Sequence, residues 1–362
     1  MTEAELLDGL EALNQTRRQA LGTLAGAAVA VTSPVAAAPT LPARLRGLGV
    51  FSPMYAGAEK LSDYLHWLGR QTLPFVSDNA EETKGWSEAV SSTKWLCGVY
   101  AKLPTTLILG VPILPRYDAG KFADGNAGKF DASIWAMASS AKPLLDRSVS
   151  GKPFTIIIRP GWEGNGNWMP WFAGTDPVAS GYVAYVRRCI GIFRQVDPRF
   201  TFSWCNTLGW MHVDAFKTYW GDDVTDFIDT DVYDEAWEPR WRTDLALRWK
   251  ERFWYGDNGL DAYAKFAAKK GKKRSFSEWG CRNFFPPNNA ASGGDNPYFI
   301  EQMAAHFDAL GDKLAFHCYF ERADQLSSLS AGKGVKDAAG IWQPTPTLFP
   351  KAAARYKVLF GA

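Results

Sequence analysis

One pattern constrains this chain more than any other. Eight short apolar or β-branched runs alternate with longer stretches of helical spacing. The runs are Leu48–Ser52, Leu73–Ser77, Thr106–Pro112, Phe154–Arg159, Phe200–Cys205, Phe227–Val232, Arg274–Ser277 and Leu314–Tyr319. The helical stretches are Ala58–Arg70, Ser87–Leu96, Ala132–Leu145, Pro177–Gln195, Asp261–Lys270, Pro297–Leu310 and Leu348–Leu359, with a weaker one at Val213–Tyr219. In the first of these, Leu61, Leu65 and Leu68 recur at helical intervals. Phe154–Ile158 is almost wholly apolar, as a strand buried on both faces should be. Eight βα units of this kind predict a (β/α)8 barrel, a TIM barrel in the α/β class. The rival, an open doubly wound sheet, wants a glycine-rich turn after its first strand, and Ser52-Pro53-Met54-Tyr55 stands there instead. Two βα loops read as extended: Leu114–Phe130, rich in Gly and Asp, and Asp234–Asn258, rich in Trp and Arg.

The segment before the first run has its own character. Arg17-Arg18 precede a mild Ala- and Gly-containing stretch from Leu21 to Val31, and Val35-Ala36-Ala37-Ala38 offers small residues to a signal peptidase. Residues 1–38 are therefore expected to be a twin-arginine export signal, with 39–362 as the barrel domain and a periplasmic or secreted location. A short amphipathic helix is the alternative, weakened by Gly22, Gly26 and Pro34. A net charge of +2 is too even for a dedicated nucleic-acid binder. No apolar run reaches the ~18 residues of a membrane span. Five dispersed cysteines form no CxxC or Cys/His cluster, so no structural zinc and no cofactor are expected.

In this barrel, chemistry sits at the C-terminal ends of the strands. Two acids stand there in similar company. Glu163 follows the fourth strand within Arg159-Pro160-Gly161-Trp162-Glu163-Gly164-Asn165-Gly166-Asn167-Trp168-Met169-Pro170-Trp171, and Glu278 follows the seventh within Ser277-Glu278-Trp279-Gly280. Strands four and seven lie three apart in a ring of eight, so the two acids face each other across its mouth. Opposed carboxylates are what glycoside hydrolysis needs: one protonated, to donate to the departing oxygen, and one ionised. A gap of about 5–5.5 Å permits direct attack and retention, and a wider one admits water and gives inversion. Burial against Trp162 and Trp168 raises the pKa of Glu163 and suits it to the acid role. Glu278 requires donors from a Tyr or Arg. Two ordinary strand-capping glutamates are the bland alternative.

These motifs resemble glycoside hydrolase family 26. The carriers are Arg159-Pro160 … Glu163 to Trp171, Trp204-Cys205-Asn206, Trp220 to Asp234, and Lys273 to Gly280, which together cover strands four to seven. The resemblance implies a retaining enzyme of the barrel clan that includes β-mannanases. It implies Glu163 as acid/base, Glu278 as nucleophile, Tyr233 as the residue orienting the nucleophile and Trp168 as an aromatic at the cleavage subsite. The family usually places His before the acid/base; Trp162 stands here. That departure puts a β-mannan substrate in question and points to another glycan, such as a bacterial exopolysaccharide.

Further residues are candidates with two readings each. Trp162 and Trp279 flank the acids and are expected to line the sugar site. Asn206 reaches a sugar hydroxyl or closes a turn. His317 and Tyr319 share one face of strand eight; they line the site if that face is inward and fill the core if it is not. Asp231 points into the barrel, and Asp234 or Glu235 binds a hydroxyl, unless these are solvated loop acids. Arg282 clamps an acidic sugar or forms a surface ion pair. Trp171, Trp210, Trp237 and Trp241 stack on sugars or pack long loops. Asp118, Asp124 and Asn126 do not fit the EF-hand spacing, so no metal is expected. Lys269 to Arg274 reads as a solvated face. The expected activity is endo-acting retaining hydrolysis of β-bonds in a polysaccharide by a monomer. The alternatives are an inverting hydrolase or transglycosylase, and a non-catalytic carbohydrate-binding barrel in polysaccharide assembly or export.

Overall fold

The computed structural model describes residues 41–149, 151–209 and 211–362. The export signal expected at 1–38 and the candidate platform Trp210 lie outside the described residues. Eight parallel strands close into a barrel: β1 (Leu48–Phe51), β2 (Phe75–Asn79), β3 (Thr106–Val111), β4 (Ile156–Pro160), β5 (Thr201–Thr207), β6 (Phe227–Asp234), β7 (Lys273–Cys281) and β8 (Leu314–Phe320). Each pairs with its neighbours in sequence, and β8 pairs with β1 to close the ring. The expected (β/α)8 architecture is the one found.

Helices cover the outside: α1 (Ala58–Leu68), α2 (Trp86–Tyr100), α3 (Asp131–Ala141), α4 (Asp176–Val196), α5 (Leu260–Lys270), α6 (Pro297–Leu310) and α7 (Pro350–Phe360). The weak pattern between β5 and β6 is only a 3-10 turn, Ala215–Thr218, capped by the Asp214 carboxylate. The loops after β3 and β6 are long and carry short helices of their own, Phe122–Asn126 and then Pro239–Thr243 and Leu245–Arg248. The loops after β7 and β8 are long as well, which the turn-rich sequence of 282–296 and 321–349 did not distinguish from ordinary connections. Among the described residues, no helix is long and apolar enough to cross a membrane. All five cysteines are buried and free.

Two cores result from the alternation of side chains along each strand. The larger lies between barrel and helices. The smaller fills the lumen with Phe51, Ile108, Ile157, Phe316, Cys318 and Phe320, joined by Phe75 and Phe227. Phe316 meets Phe75 at 5.4 Å and Phe227 at 5.8 Å, sealing the lower lumen. Higher up the lining turns polar. Ser77, Arg159, Ser203, Asp229, Asp231, Ser277 and Glu278 are all buried.

The seventh strand is irregular where it nears the mouth. Against β8 the register runs from Phe276↔His317 to Trp279↔Tyr319, and against β6 from Asp229↔Ser275 to Val232↔Trp279. On both sides β7 carries one residue more than its neighbour, a β-bulge at Ser277–Glu278. A bulge re-aims side chains that strict alternation would place on opposite faces. Ser277 and Glu278 both reach the lumen, where the Ser277 hydroxyl donates to Asp229 and Glu278 accepts from Arg159. Phe276 and Trp279 both pack outside, 5.1 and 5.2 Å from Phe307 of α6.

Candidate active site

Glu163 is placed by a turn that leaves β4 abruptly. Gly161 and Glu163 both take left-handed backbone conformations, φ 56° and 50°. A left-handed non-glycine residue costs of order 1–3 kcal/mol and persists only where its surroundings enforce it. Here they do. The Glu163 N–H donates to the Cys205 carbonyl of β5 at 3.0 Å. Two residues on, the Asn165 amide clamps Thr207 of β5: its Nδ2 donates to the Thr207 carbonyl at 2.9 Å, and its Oδ1 accepts the Thr207 N–H at 3.0 Å. Trp168 then folds back, and its indole N–H donates to Glu163 Oε2 at 2.7 Å. Gly166 makes that return possible, since a Cβ there would lie 2.5 Å from the Trp168 ring. From the loop after β3, Arg116 Nη2 donates to the Trp168 carbonyl at 2.8 Å.

Glu278 sits on the bulge of β7. Arg159 Nη1 donates to its Oε1 at 2.7 Å, Asn79 Nδ2 to the same oxygen at 3.3 Å, and the Tyr233 hydroxyl to Oε2 at 2.5 Å. Arg159 is wholly buried and also donates to Asp231. A buried guanidinium is tolerable only when it is paired this closely. Burial holds the Tyr233 phenol protonated, as a donor must be. Asn79 needs the space that Gly110 on β3 leaves open, because a Cβ at Gly110 would fall within 2.1 Å of the Asn79 amide oxygen.

The two carboxylates feel one another. Burial, and then the negative charge of Glu278, push the Glu163 carboxyl up from 4.5 to about 7; the Trp168 hydrogen bond pulls it down, but by less. Glu163 therefore holds a proton through most of the range in which a general acid works.

The sequence-level candidates divide into two groups. Glu163, Trp168, Tyr233 and Glu278 meet at the mouth, and Asp231 points inward to Arg159. Five others are buried in packing contacts instead of opening on the mouth. Trp162 is sealed at 2% exposure, 4.6 Å from Trp171 in an edge-to-face contact. Asn206 is fully buried, and its Nδ2 donates to Thr218 Oγ1 of the 3-10 turn at 3.0 Å. Trp279 lies in the outer layer and donates to His317 Nδ1 at 3.1 Å. His317 stacks on Phe307 at 4.0 Å, and burial lowers its imidazole to about 4. Tyr319 donates to the Ser327 carbonyl at 3.1 Å. Asp234 also turns outward, to Arg248 and Asn296.

Of the loop tryptophans, Trp171 is buried and donates to the Trp162 carbonyl, and Trp241 donates to Glu251. Trp237 is 47% exposed. Asp118 and Asp124 pair with Lys121 and Lys129. Among the described residues, the one close set of metal-type donors is Cys205, Asp229 and Asp231. Arg159 occupies it: Nη2 reaches Asp231 and Cys205 Sγ, and Nε stands 3.9 Å from Asp229.

The sequence reading missed Asn79, Arg159, Asn165 and Gly110 as parts of the site. Arg159 carries a signal that could have found it, since it ends an otherwise apolar strand. Asn79 and Gly110 do not, because neither means anything until β2 and β3 are in register.

No family model and no curated protein matches the sequence. Solved structures do match it in fold. The catalytic domain of a GH26 endo-β-1,4-mannanase from a Bacillus species shares 17% identity, covering 80% of this chain and 78% of its own, with a TM-score of 0.53. A mannanase from Bacillus subtilis shares 14% identity over 89% and 87%, with a TM-score of 0.56. A GH26 β-mannanase from Bacteroides ovatus shares 14% over 88% and 89%, with a TM-score of 0.52. At such identities the likeness is one of fold.

Proposed function

We propose that the chain is a retaining glycoside hydrolase acting on β-linkages of a polysaccharide. One observation carries the reading: two carboxylates from opposite sides of one barrel mouth, equally buried, with opposite hydrogen-bond environments. Glu163 has a raised pKa and a single donor, and its Oε1 accepts no hydrogen bond among the described residues. Glu278 receives three donors, one of them charged. In the first step Glu278 attacks the anomeric carbon, the glycosidic C–O bond breaks, and the Glu163 proton passes to the leaving oxygen. In the second step Glu163, now ionised, takes a proton from water, which displaces Glu278 from the sugar. Tyr233 and Arg159 hold the nucleophile in place, and exposed Trp168 offers a stacking face beside the acid. The neighbours of like fold include β-mannanases; the replacement of His by Trp162 favours a different glycan for this chain.

The test is reducing-end release from mannan, xylan, mixed-linkage glucan and uronate-bearing exopolysaccharide by the wild type, Glu163→Gln and Glu278→Gln. Loss of activity in both variants, with product of retained anomeric configuration by NMR, supports the reading. Full activity in either variant overturns it. Binding of glycans with no turnover by the wild type favours the non-catalytic barrel.

A further inference from the structure

Arg282 follows β7 on the same rim as Tyr233. Its guanidinium carbon lies 4.8 Å from the Tyr233 ring centre and 5.0 Å from that of Phe284. Among the described residues it makes no side-chain hydrogen bond, and Glu235, at 3.8 Å, is the only acid within 4 Å of it. That carboxylate is already shared: Arg252 lies 3.6 Å away, and the Trp237 indole donates to it at 2.9 Å. The acids below are engaged elsewhere, Glu278 and Asp231 by Arg159 and Asp229 by Ser203 and Ser277. Arg322, after the neighbouring strand β8, shows what a satisfied arginine looks like here, with Asp324 taking two of its N–H groups at 2.8 and 2.5 Å. Arg282 is 31% exposed and has no such partner.

An exposed aromatic face stands next to it. Trp237 is 47% exposed and packs on Phe284 at 5.2 Å, the same ring that supports Arg282. A flat indole beside an unspent guanidinium fork suits a sugar ring that carries a carboxylate: the ring stacks on its apolar face, and the planar fork meets the carboxylate through two parallel hydrogen bonds.

We propose that Trp237 and Arg282 form a subsite for a uronic-acid residue of the glycan, next to the cleavage point. This rests on the hydrolase reading, and binding measurements separate the two. The probes are a β-linked exopolysaccharide containing glucuronic acid and the same polymer after carboxyl reduction, each titrated into the Glu278→Gln protein. The acidic polymer should bind about 10-fold more tightly or better. Arg282→Ala should bring the ratio to within about 2-fold, and Arg282→Lys, which keeps the charge but not the fork, should leave an intermediate ratio. Trp237→Ala should weaken both polymers alike. Arg199→Ala, at the opposite end of the barrel, should leave the ratio intact. Equal binding of the two polymers, no binding of the acidic one, or a preference that survives Arg282→Ala overturns the subsite. Hydrolysis by the wild type without acidic preference defeats the subsite alone; acidic preference without any hydrolysis defeats the hydrolase reading alone.

Discussion

The ends of β4 and β7 carry the same side chain at nearly the same burial, 6% exposed for Glu163 and 5% for Glu278. Their surroundings differ in donors. Glu163 lies under aromatic cover with one indole N–H, while Glu278 receives an arginine, an amide and a phenol. Burial alone therefore does not distinguish the two acids. The number and charge of the donors do, because a carboxylate removed from water must recover in hydrogen bonds what it loses in hydration.

The sharpest break in this comparison is at Glu278, the proposed nucleophile. Glu278→Ala should lower kcat on polysaccharide by on the order of 10⁴-fold or more. Azide should restore turnover of an activated aryl glycoside and give a glycosyl azide of inverted configuration. Absence of any azide product would argue against direct attack by Glu278.

Glu163→Gln should cost about 10²–10⁴-fold on polysaccharide and much less on an aryl glycoside whose leaving group needs no proton. In the wild type, activity should fall as pH rises through about 7, because the proton of the acid is lost there. The same carboxyl bears on stability. Its folded-state value lies above the ordinary 4.5, so its stabilising contribution is complete below that pH and is lost as pH rises through about 7. Glu163→Gln should accordingly raise Tm at pH 8 more than at pH 5, and an equal shift at both would show that the carboxyl is not held neutral.

Two smaller changes separate the halves of the site. Gly110→Ala should push Asn79 off Glu278 and lower kcat by roughly 10-fold, less than the ~10²-fold that a 1 Å misplacement can cost, because Arg159 and Tyr233 still hold the carboxylate. The alkaline limb, set by Glu163, should stay where it is, and a shifted limb would mean that the two ends are not independently built. Trp168→Phe should do the reverse. It removes the indole donor that favours ionised Glu163, so the alkaline limb should move upward by less than one pH unit with kcat changed only a few fold. A downward move would assign Trp168 the opposite electrostatic role.

Much of this was legible in the amino-acid order. The eight strands and the helices between them follow from hydrophobic period, and Pro297–Leu310 matches its predicted limits at both ends. The pair Glu163 and Glu278 was legible because a strand-end rule and an unusual Gly/Trp context coincide there. The faces of Trp279, His317, Tyr319 and Asn206 were not. On β8 and β5 a strand buried on both sides gives alternation without saying which phase is inward, and polar His317 and Asn206 found partners in the helix layer. On β7 even a correct phase would have failed, because the bulge resets it between Ser277 and Glu278.

The sequence by itself determined the barrel and the two strand ends that carry the acids, since periodicity and glycine-rich turns act locally. Tertiary structure decided which oxygens receive donors. Arg159, Asn79 and Tyr233 come from three different strands, and only closure of the ring brings them to one carboxylate. The vacancy at Gly110 and the extra residue in β7 acquire meaning at the same moment, because both are relations between neighbouring strands that no single segment contains.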